Sequence, residues 1–144
     1  MDLKLSSQHI TLIKNPTTKQ EAVKSLVDNV CAETNLNKEE VFKAILKREQ
    51  GISTTLDTGL SIPHARLEGL DSFKAAVAVI PNGLKDDFGL QIKVVFLFLS
   101  PSGEQFFSEH LKLLAKLAEK FTPDFIEDLC KLNKPEDIAA KLPF

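Results

Sequence analysis

Histidine is the residue type in this sequence best suited to chemistry near neutral pH, and three are present: His9, His64 and His110. An imidazole has an ordinary pKa of about 6.5, so its neutral form is available as a nucleophile. His64 follows Pro63 at the end of a short apolar run, where a strand is predicted to give way to a loop. The proline stiffens the backbone there, so His64 is the candidate nucleophile, although an ordinary loop histidine is the more common occupant of such a position.

The other two histidines have simpler interpretations. His9 lies in the polar segment Ser6–His9 and is expected on the surface, in solvent. His110 shares an apolar helical face with leucines three, four and seven residues later. A histidine in such a position is typically hydrogen-bonded at the edge of the core, and its neutral ring can offer one N–H as a donor.

Several other functional signatures are missing. The sequence contains no GxGxxG, P-loop, GxSxG, HExxH or EF-hand pattern. The net charge is −2, and the ten aromatic residues are all phenylalanine without interleaved basic residues, which argues against a nucleic-acid binder. Cys31 and Cys130 have no metal-type spacing and are expected to be inert thiols on apolar helix faces. This disfavours both a metal site and a hydrolase that would combine a thiol with His64.

The composition is typical of one globular domain. The chain has 144 residues, of which 43% are apolar and 26% are charged, so we expect a single domain over residues 1–144. The longest apolar run, Val94–Leu99, has the length of a strand, far short of the roughly 18 residues that a membrane span needs. The N-terminus lacks a basic region followed by an apolar core. We therefore expect a cytoplasmic protein without membrane insertion.

Helical spacing of apolar residues predicts two helices in the first third of the chain. The first opens at a capping box, Thr18-x-x-Glu21, and continues to Cys31. The second begins after Asn37, again with a glutamate three residues later, and is predicted to end near residues 48–50, with Gly51 as its stop. The C-terminal third predicts three more helices, over Glu104–Phe121, from Thr122 onward, and over Pro135–Leu142.

The middle of the chain predicts loops and strands. The segment Ile52–Asp71 is rich in turn-forming residues and contains one short strand, Leu60–Ile62, which Pro63 ends. Ala75–Ile80 and Lys93–Leu99 are typical of strands buried on both faces. Helices followed by buried strands and further helices predict an α/β domain.

The segment from Arg48 to His64 resembles the active-site signature of the fructose/mannitol-type enzyme IIA domains of the bacterial phosphotransferase system. That signature is an Arg-Glu pair, a loop rich in Ser, Thr and Gly, and then Gly-Ile-Ala-Ile-Pro-His. The same family order continues with Arg66-Leu67-Glu68, the strand Val94–Leu99 followed by Ser-Pro, and Glu109-His110-Leu111. The resemblance spans roughly residues 3 to 142 of the sequence.

The resemblance implies a phosphoryl carrier. His64 matches the histidine that takes the phosphoryl group from the phosphocarrier HPr and passes it to a cysteine or histidine of a IIB partner. His110 and Arg48 match the second histidine and the arginine that support the phosphorylated ring. The implied fold is a single α/β domain with a central mixed sheet of four to five strands flanked by helices.

The chemistry of these residue types agrees with the resemblance. Phosphoryl transfer needs positioning and hydrogen-bond donors at the equatorial oxygens. Arg48 offers a fork of N–H donors, and Ser53, Thr54 and Thr55 can supply hydroxyls or backbone amides. The scheme requires no metal and no cofactor. We expect His64 in a shallow depression ringed by Phe and Leu side chains, because a partner protein must reach it.

Two departures from the family pattern stand near the site. Ala65 replaces the glycine that usually follows the active histidine, which narrows the backbone choices there. Thr55-Leu56-Asp57 replaces the usual Gly-Ile-Gly. An inward carboxylate would repel a phosphoryl group, so we expect Asp57 to point outward.

The resemblance leaves more than one function open. Arg66-Leu67-Glu68 resembles the nitrogen-type branch, and the 144 residues include no IIB, IIC or HPr domain, which favours a regulatory IIA over sugar uptake of the fructose/mannitol class. A binding module that keeps the fold but has lost phosphorylation is a further alternative, and Ala65 and Asp57 are the features that would favour it.

Overall fold

The computed structural model describes residues 3–51 and 54–144. Within these ranges the chain forms five α-helices and a five-stranded mixed sheet, as the resemblance implied. The helices are α1 (Lys19–Cys31), α2 (Lys38–Gly51), α3 (Phe107–Lys120), α4 (Pro123–Cys130) and α5 (Pro135–Lys141). The strands are β1 (Ile10–Leu12), β2 (Leu60–Ser61), β3 (His64–Leu67), β4 (Lys74–Lys85) and β5 (Gln91–Pro101). No helix among the described residues is long and apolar enough to cross a membrane.

Side-chain caps start three of the helices where the sequence predicts them. The Thr18 hydroxyl accepts from the backbone N–H three residues later, at 3.1 Å. Asn37 Oδ1 accepts from the N–H groups two and three residues later, both at 3.0 Å. Thr122 repeats the threonine arrangement at 3.2 Å. Each cap satisfies donors that the first helical turn leaves without an intrahelical acceptor.

The strand β5 divides the core into two halves. Successive side chains of a strand point to opposite faces, so Val94, Phe96 and Phe98 pack on one side with α3, α4 and α5. Val95, Leu97 and Leu99 pack on the other side with α1 and α2. The predicted burial of this strand on both faces is therefore confirmed.

The sheet order brings the histidine segment to one edge. The strands run β1-β4-β5-β2, and β3 also pairs with β5. β4 and β5 are antiparallel, while the short strands β2 and β3 pair with β5 in parallel, one after the other. The segment around Pro63 is therefore an edge of the sheet, where α2 and α3 approach it from opposite faces.

The strand predictions from the sequence miss two strands and end a third one too early. β1 and β3 are strands that the sequence did not predict, since runs of three and four residues carry too little alternation to be recognised. The strand predicted at Ala75–Ile80 continues through Pro81-Asn82-Gly83 to the end of β4, and its pairing with β5 shifts register between Val79 and Leu84. The proline is tolerated because the irregularity removes the need for its missing N–H.

The two core halves make a stability prediction possible. Leu97→Ala should lower the free energy of unfolding by about 2–5 kcal/mol, because it leaves a cavity at a fully buried position. Leu111 on α3 is 49% exposed and is the matched control. Leu111→Ala should change the same quantity by about 0.5 kcal/mol or less in urea titrations. Equal losses for the two variants would contradict the assignment of Leu97 to the core.

Candidate functional site

His64 is the first residue of β3 and lies in the sheet, which corrects the expectation that it stands in a loop. It is opposite Phe98 in the parallel pairing with β5, and the backbone N–H of Phe98 donates to the carbonyl of Pro63 at 3.1 Å. The His64 and Phe98 rings are stacked, with centroids 5.1 Å apart and planes 6° from parallel. His64 is only 5% exposed, so it lies deeper than expected.

A hydrogen bond fixes the tautomer of His64. Its Nδ1 lies 2.7 Å from the carbonyl oxygen of Ile62. A carbonyl only accepts, so Nδ1 must carry the proton and donate. In the neutral ring Nε2 then keeps its lone pair and is the nucleophilic atom.

His110 on α3 comes close to His64 although 46 residues separate them in the sequence. The two ring centroids are 5.3 Å apart, and the planes are tilted by 58°. His110 Nδ1 lies 2.7 Å from the hydroxyl oxygen of buried Ser100. This hydroxyl has no other hydrogen-bond partner among the described residues, so it donates to Nδ1 and leaves Nε2–H of His110 as a donor.

The two histidines line a depression of about 320 Å³ at the edge of the sheet. Arg48, in the last turn of α2, lines it as well, so the structure brings together the three residues for which the sequence predicts a direct role. The full lining is Ala44, Arg48, His64, Ala65, Arg66 and His110. The lining therefore holds two guanidinium groups and no carboxylate. Apolar rings contact it from the side, as expected in part: Phe98 lies against both imidazoles, and Phe107 stacks on His110.

Burial keeps both imidazoles neutral at neutral pH. Desolvation lowers the pKa of His64 below its ordinary value of 6.5; the bond to Ile62 opposes this, and the charge of Arg48 adds to it. Desolvation, followed by the charges of His64, Arg66 and Arg48, lowers the pKa of His110 to about 4. A neutral His64 is the form that can attack a phosphorus atom.

Glu49 anchors the segment that leads away from α2. Its carboxylate accepts hydrogen bonds from the hydroxyl of Thr54 and, at 3.4 Å, from the backbone N–H of the same residue. Lys19 of α1 forms an ion pair with it at 3.1 Å. Glu49 therefore ties the chain beyond residue 53 to both α1 and α2.

The three hydroxyl residues predicted to support a phosphoryl group have different positions. Ser53 lies outside the described residues. The Thr54 hydroxyl donates to Glu49, and the buried Thr55 hydroxyl lies 3.3 Å from that of Ser61. Neither threonine lines the depression. Their role toward a phosphoryl group stays a prediction.

The two departures from the family pattern leave the depression intact. Ala65 lies in a regular strand with no left-handed backbone angle, and it packs with the core on the α1–α2 side. The backbone angles at this position therefore do not require glycine. Asp57 is exposed and does not line the depression, as expected.

His9 lies elsewhere in the fold, and its expected exposure to solvent is wrong. Its Nε2 is 3.2 Å from a carboxylate oxygen of Glu33, and its side chain is 14% exposed. Its other ring nitrogen accepts from the backbone N–H of Ser6. His9 therefore ties the N-terminal segment to the end of α1.

Sequence reasoning missed three residues at the site. Arg66 lies two residues after His64 and shares its face of β3, a signal that appears only once a strand is recognised there. Phe98 contacts His64 and Ser100 contacts His110; these two residues are also two apart on β5 and share one face of it. The strand pairing that aligns them was not visible in the sequence.

Comparisons with known proteins show what the whole chain is similar to. The family model for the phosphoenolpyruvate-dependent sugar phosphotransferase system, EIIA 2, matches residues 4–142. A nitrogen regulatory protein of Bradyrhizobium diazoefficiens is 30% identical over 127 residues, covering 87% of this chain and 74% of that protein. A mannitol-specific phosphotransferase enzyme IIA component of Staphylococcus aureus is 32% identical over 130 residues, covering 83% and 80%. The crystal structure of nitrogen regulatory protein IIA-Ntr from Neisseria meningitidis aligns with a TM-score of 0.82 at 26% identity, covering 94% and 93%.

The electrostatics predict a distinctive histidine titration. In ¹⁵N NMR, His64 should titrate below 6.5 with its proton on Nδ1, and His110 should titrate near 4. The unfolded chain binds protons at these residues at a higher pH than the folded protein does. The free energy of unfolding should therefore fall as the pH drops from about 6.5 toward 4. A His110 that titrates at 6.5 would contradict the burial described above.

Proposed function

Because the chain belongs to the phosphoenolpyruvate-dependent sugar phosphotransferase system EIIA 2 family, we propose that it carries a phosphoryl group on Nε2 of His64. The observation that carries this proposal is the bond from Nδ1 of His64 to the Ile62 carbonyl, at 2.7 Å, within a depression that two arginines line. The bond leaves the lone pair on Nε2 as the nucleophile, and the two arginines favour the negative charge of the phosphoryl group that this nitrogen would receive.

The transfer balances without any further reactant. The lone pair on Nε2 of His64 forms the new bond to phosphorus, while the bond between phosphorus and the donor breaks and its electron pair leaves with the donor. The ring gains positive charge as it attacks, and the Nδ1–H bond to the Ile62 carbonyl becomes charge-assisted and stronger at that moment. An interaction that strengthens on the way to the transition state accelerates the step.

Arg48 and His110 supply donors at the phosphoryl oxygens. Transfer of this group requires little covalent chemistry from the protein beyond positioning and electrostatic stabilisation. Arg48 provides a fixed positive charge from the end of α2, and His110 provides the Nε2–H that its bond to Ser100 leaves available. His110 stays neutral because it is buried, so it acts as a donor without competing for a proton.

We assign the donor as the phosphocarrier HPr, acting in the cytoplasm, and the acceptor as a IIB component or a regulatory target. Relatives named as nitrogen regulatory protein and as mannitol-specific enzyme IIA both resemble the chain at similar identity. Arg66-Leu67-Glu68 directly after the site favours the regulatory destination, with sugar uptake as the second candidate. If the folded protein cannot be phosphorylated, the remaining candidate is a binding module that keeps the fold.

Incubation with phosphoenolpyruvate, enzyme I and HPr should add one acid-labile phosphoryl group, measured as intact mass. His64→Gln should abolish the gain because it removes the nucleophile while keeping a polar side chain of similar size. Glu109→Gln, on the exposed side of α3, is the control and should label like the wild type. A His64→Gln protein that still gains an acid-labile group would exclude His64 as the carrier.

His110→Ala should slow labelling by about 100-fold, because it removes one donor at the developing charge. Rapid-quench measurements at saturating phospho-HPr would separate this loss of rate from a loss of binding. His110→Asn, which keeps an N–H donor, should recover part of the rate. Labelling of His110→Ala at the wild-type rate would contradict a role for this ring in the transfer.

A further inference from the structure

Arg66 stands beside His64 on the edge strand, and the proposed function names only Arg48 and His110 as donors to the phosphoryl oxygens. Residues two apart on a strand share a face, and β3 places His64 opposite Phe98 and Arg66 opposite Ser100. His64, Arg66 and His110 all line the same depression. A second guanidinium is therefore within the site itself, on β3, whereas Arg48 is on α2.

The Arg66 guanidinium is already held in position. Its Nη2 donates to the carbonyl oxygens of Ser102 and Gly103, at 2.9 and 3.1 Å. Its central carbon lies 4.9 Å from the centre of the Phe107 ring, in a cation–π contact. These three contacts fix a long side chain that would otherwise lose conformational freedom on binding a ligand.

The contacts leave most of the donor capacity of Arg66 unused. A guanidinium has five N–H donors, and Nη2 supplies two of them. Among the described residues, Nε and Nη1 have no hydrogen-bond partner, and Arg66 forms no ion pair. No carboxylate in the described part of the chain lines the depression. The positive charge of Arg66 is therefore available to an anion from outside the chain.

We propose that Arg66 binds the phosphoryl group on His64, directing its free N–H donors to a phosphoryl oxygen from β3, in addition to the donors of Arg48 on α2. This inference rests on the proposed function, since it needs the phosphorylated ring. Arg66 would be a phosphate-binding residue, and the carbonyls of Ser102 and Gly103 together with Phe107 would be its positioning contacts. The planar fork of a guanidinium matches the geometry of a phosphoryl group. Two guanidinium charges, from α2 and β3, balance the two negative charges of a dianion, which one charge does not.

A structural role is the competing explanation. Arg66 also connects β3 to the turn before α3, and its removal could displace His110. Arg66→Gln keeps a polar side chain but removes the charge, whereas Arg66→Lys keeps the charge. Lys112→Gln is the matched control, because Lys112 is an α3 cation that is 70% exposed and does not line the depression.

The readout is the phosphoryl group itself. Each protein is labelled with phospho-HPr and, in parallel, with phosphoramidate, which phosphorylates histidine without a partner protein. Titration by ³¹P NMR then gives the pKa of the phosphoryl group on His64. Arg66→Gln should raise this pKa, because a lost cation disfavours the dianion. Arg66→Lys keeps the charge but loses the fork and should raise it less, and Lys112→Gln should stay near the wild type. The equilibrium constant for phosphoryl transfer from phospho-HPr should be about tenfold lower for Arg66→Gln than for the wild type.

The outcomes separate this inference from the proposed function. If neither reagent labels His64 of the wild type, both fail. If only phosphoramidate labels it, HPr is the wrong donor, and the ³¹P titration still tests Arg66. If His64 is labelled and Arg66→Gln has the wild-type phosphoryl pKa, Arg66 does not bind the group and only this inference is overturned. An Arg66→Lys variant that shifts as far as Arg66→Gln would point to the structural role instead.

Discussion

The hydrogen bond from Nδ1 of His64 to the carbonyl oxygen of Ile62 is the constraint on which the account of this site depends. It decides which ring nitrogen carries a proton and therefore which one can form a bond to phosphorus. The backbone around it is held on both sides, because the Ile62 N–H donates to Thr54 and the Pro63 carbonyl accepts from Phe98. An edge strand interrupted by proline thus holds the histidine in one orientation, without a flexible loop.

The positive charges around His64 favour the neutral imidazole and, under the proposed function, would also favour a phosphoryl group on it. Burial and neighbouring cations lower the pKa values of both imidazoles, which keeps the nucleophile unprotonated. The same cations, Arg48 and Arg66, would favour a dianionic phosphoryl group on His64. Because two arginines and, among the described residues, no carboxylate line the depression, an added dianionic group would remove its net positive charge. A partner would therefore meet a different electrostatic surface in the two states.

The sequence predicts the strong local signals of this fold and misses the weak ones. Capping side chains such as Thr18 and Asn37 indicate where their helices begin, and the continuous apolar run of β5 predicts a strand buried on both faces. The short strands β1 and β3 depend on pairing with distant residues, so their own three or four side chains carry no clear period. Arg66 was missed for this reason, since its place beside His64 follows from β3. His64, His110 and Arg48 were found through a family motif, whereas their contact within one depression depends on the packing of α2 and α3 against the sheet edge.

The most direct test of the account is to determine which nitrogen of His64 bears the phosphoryl group. Protein labelled with ¹⁵N-histidine and phosphorylated by phospho-HPr would show a one-bond ³¹P–¹⁵N coupling to the modified nitrogen. We expect coupling to Nε2 of His64, with Nδ1 still protonated and hydrogen-bonded to the Ile62 carbonyl. Coupling to Nδ1, or to a nitrogen of His9 or His110, would contradict it.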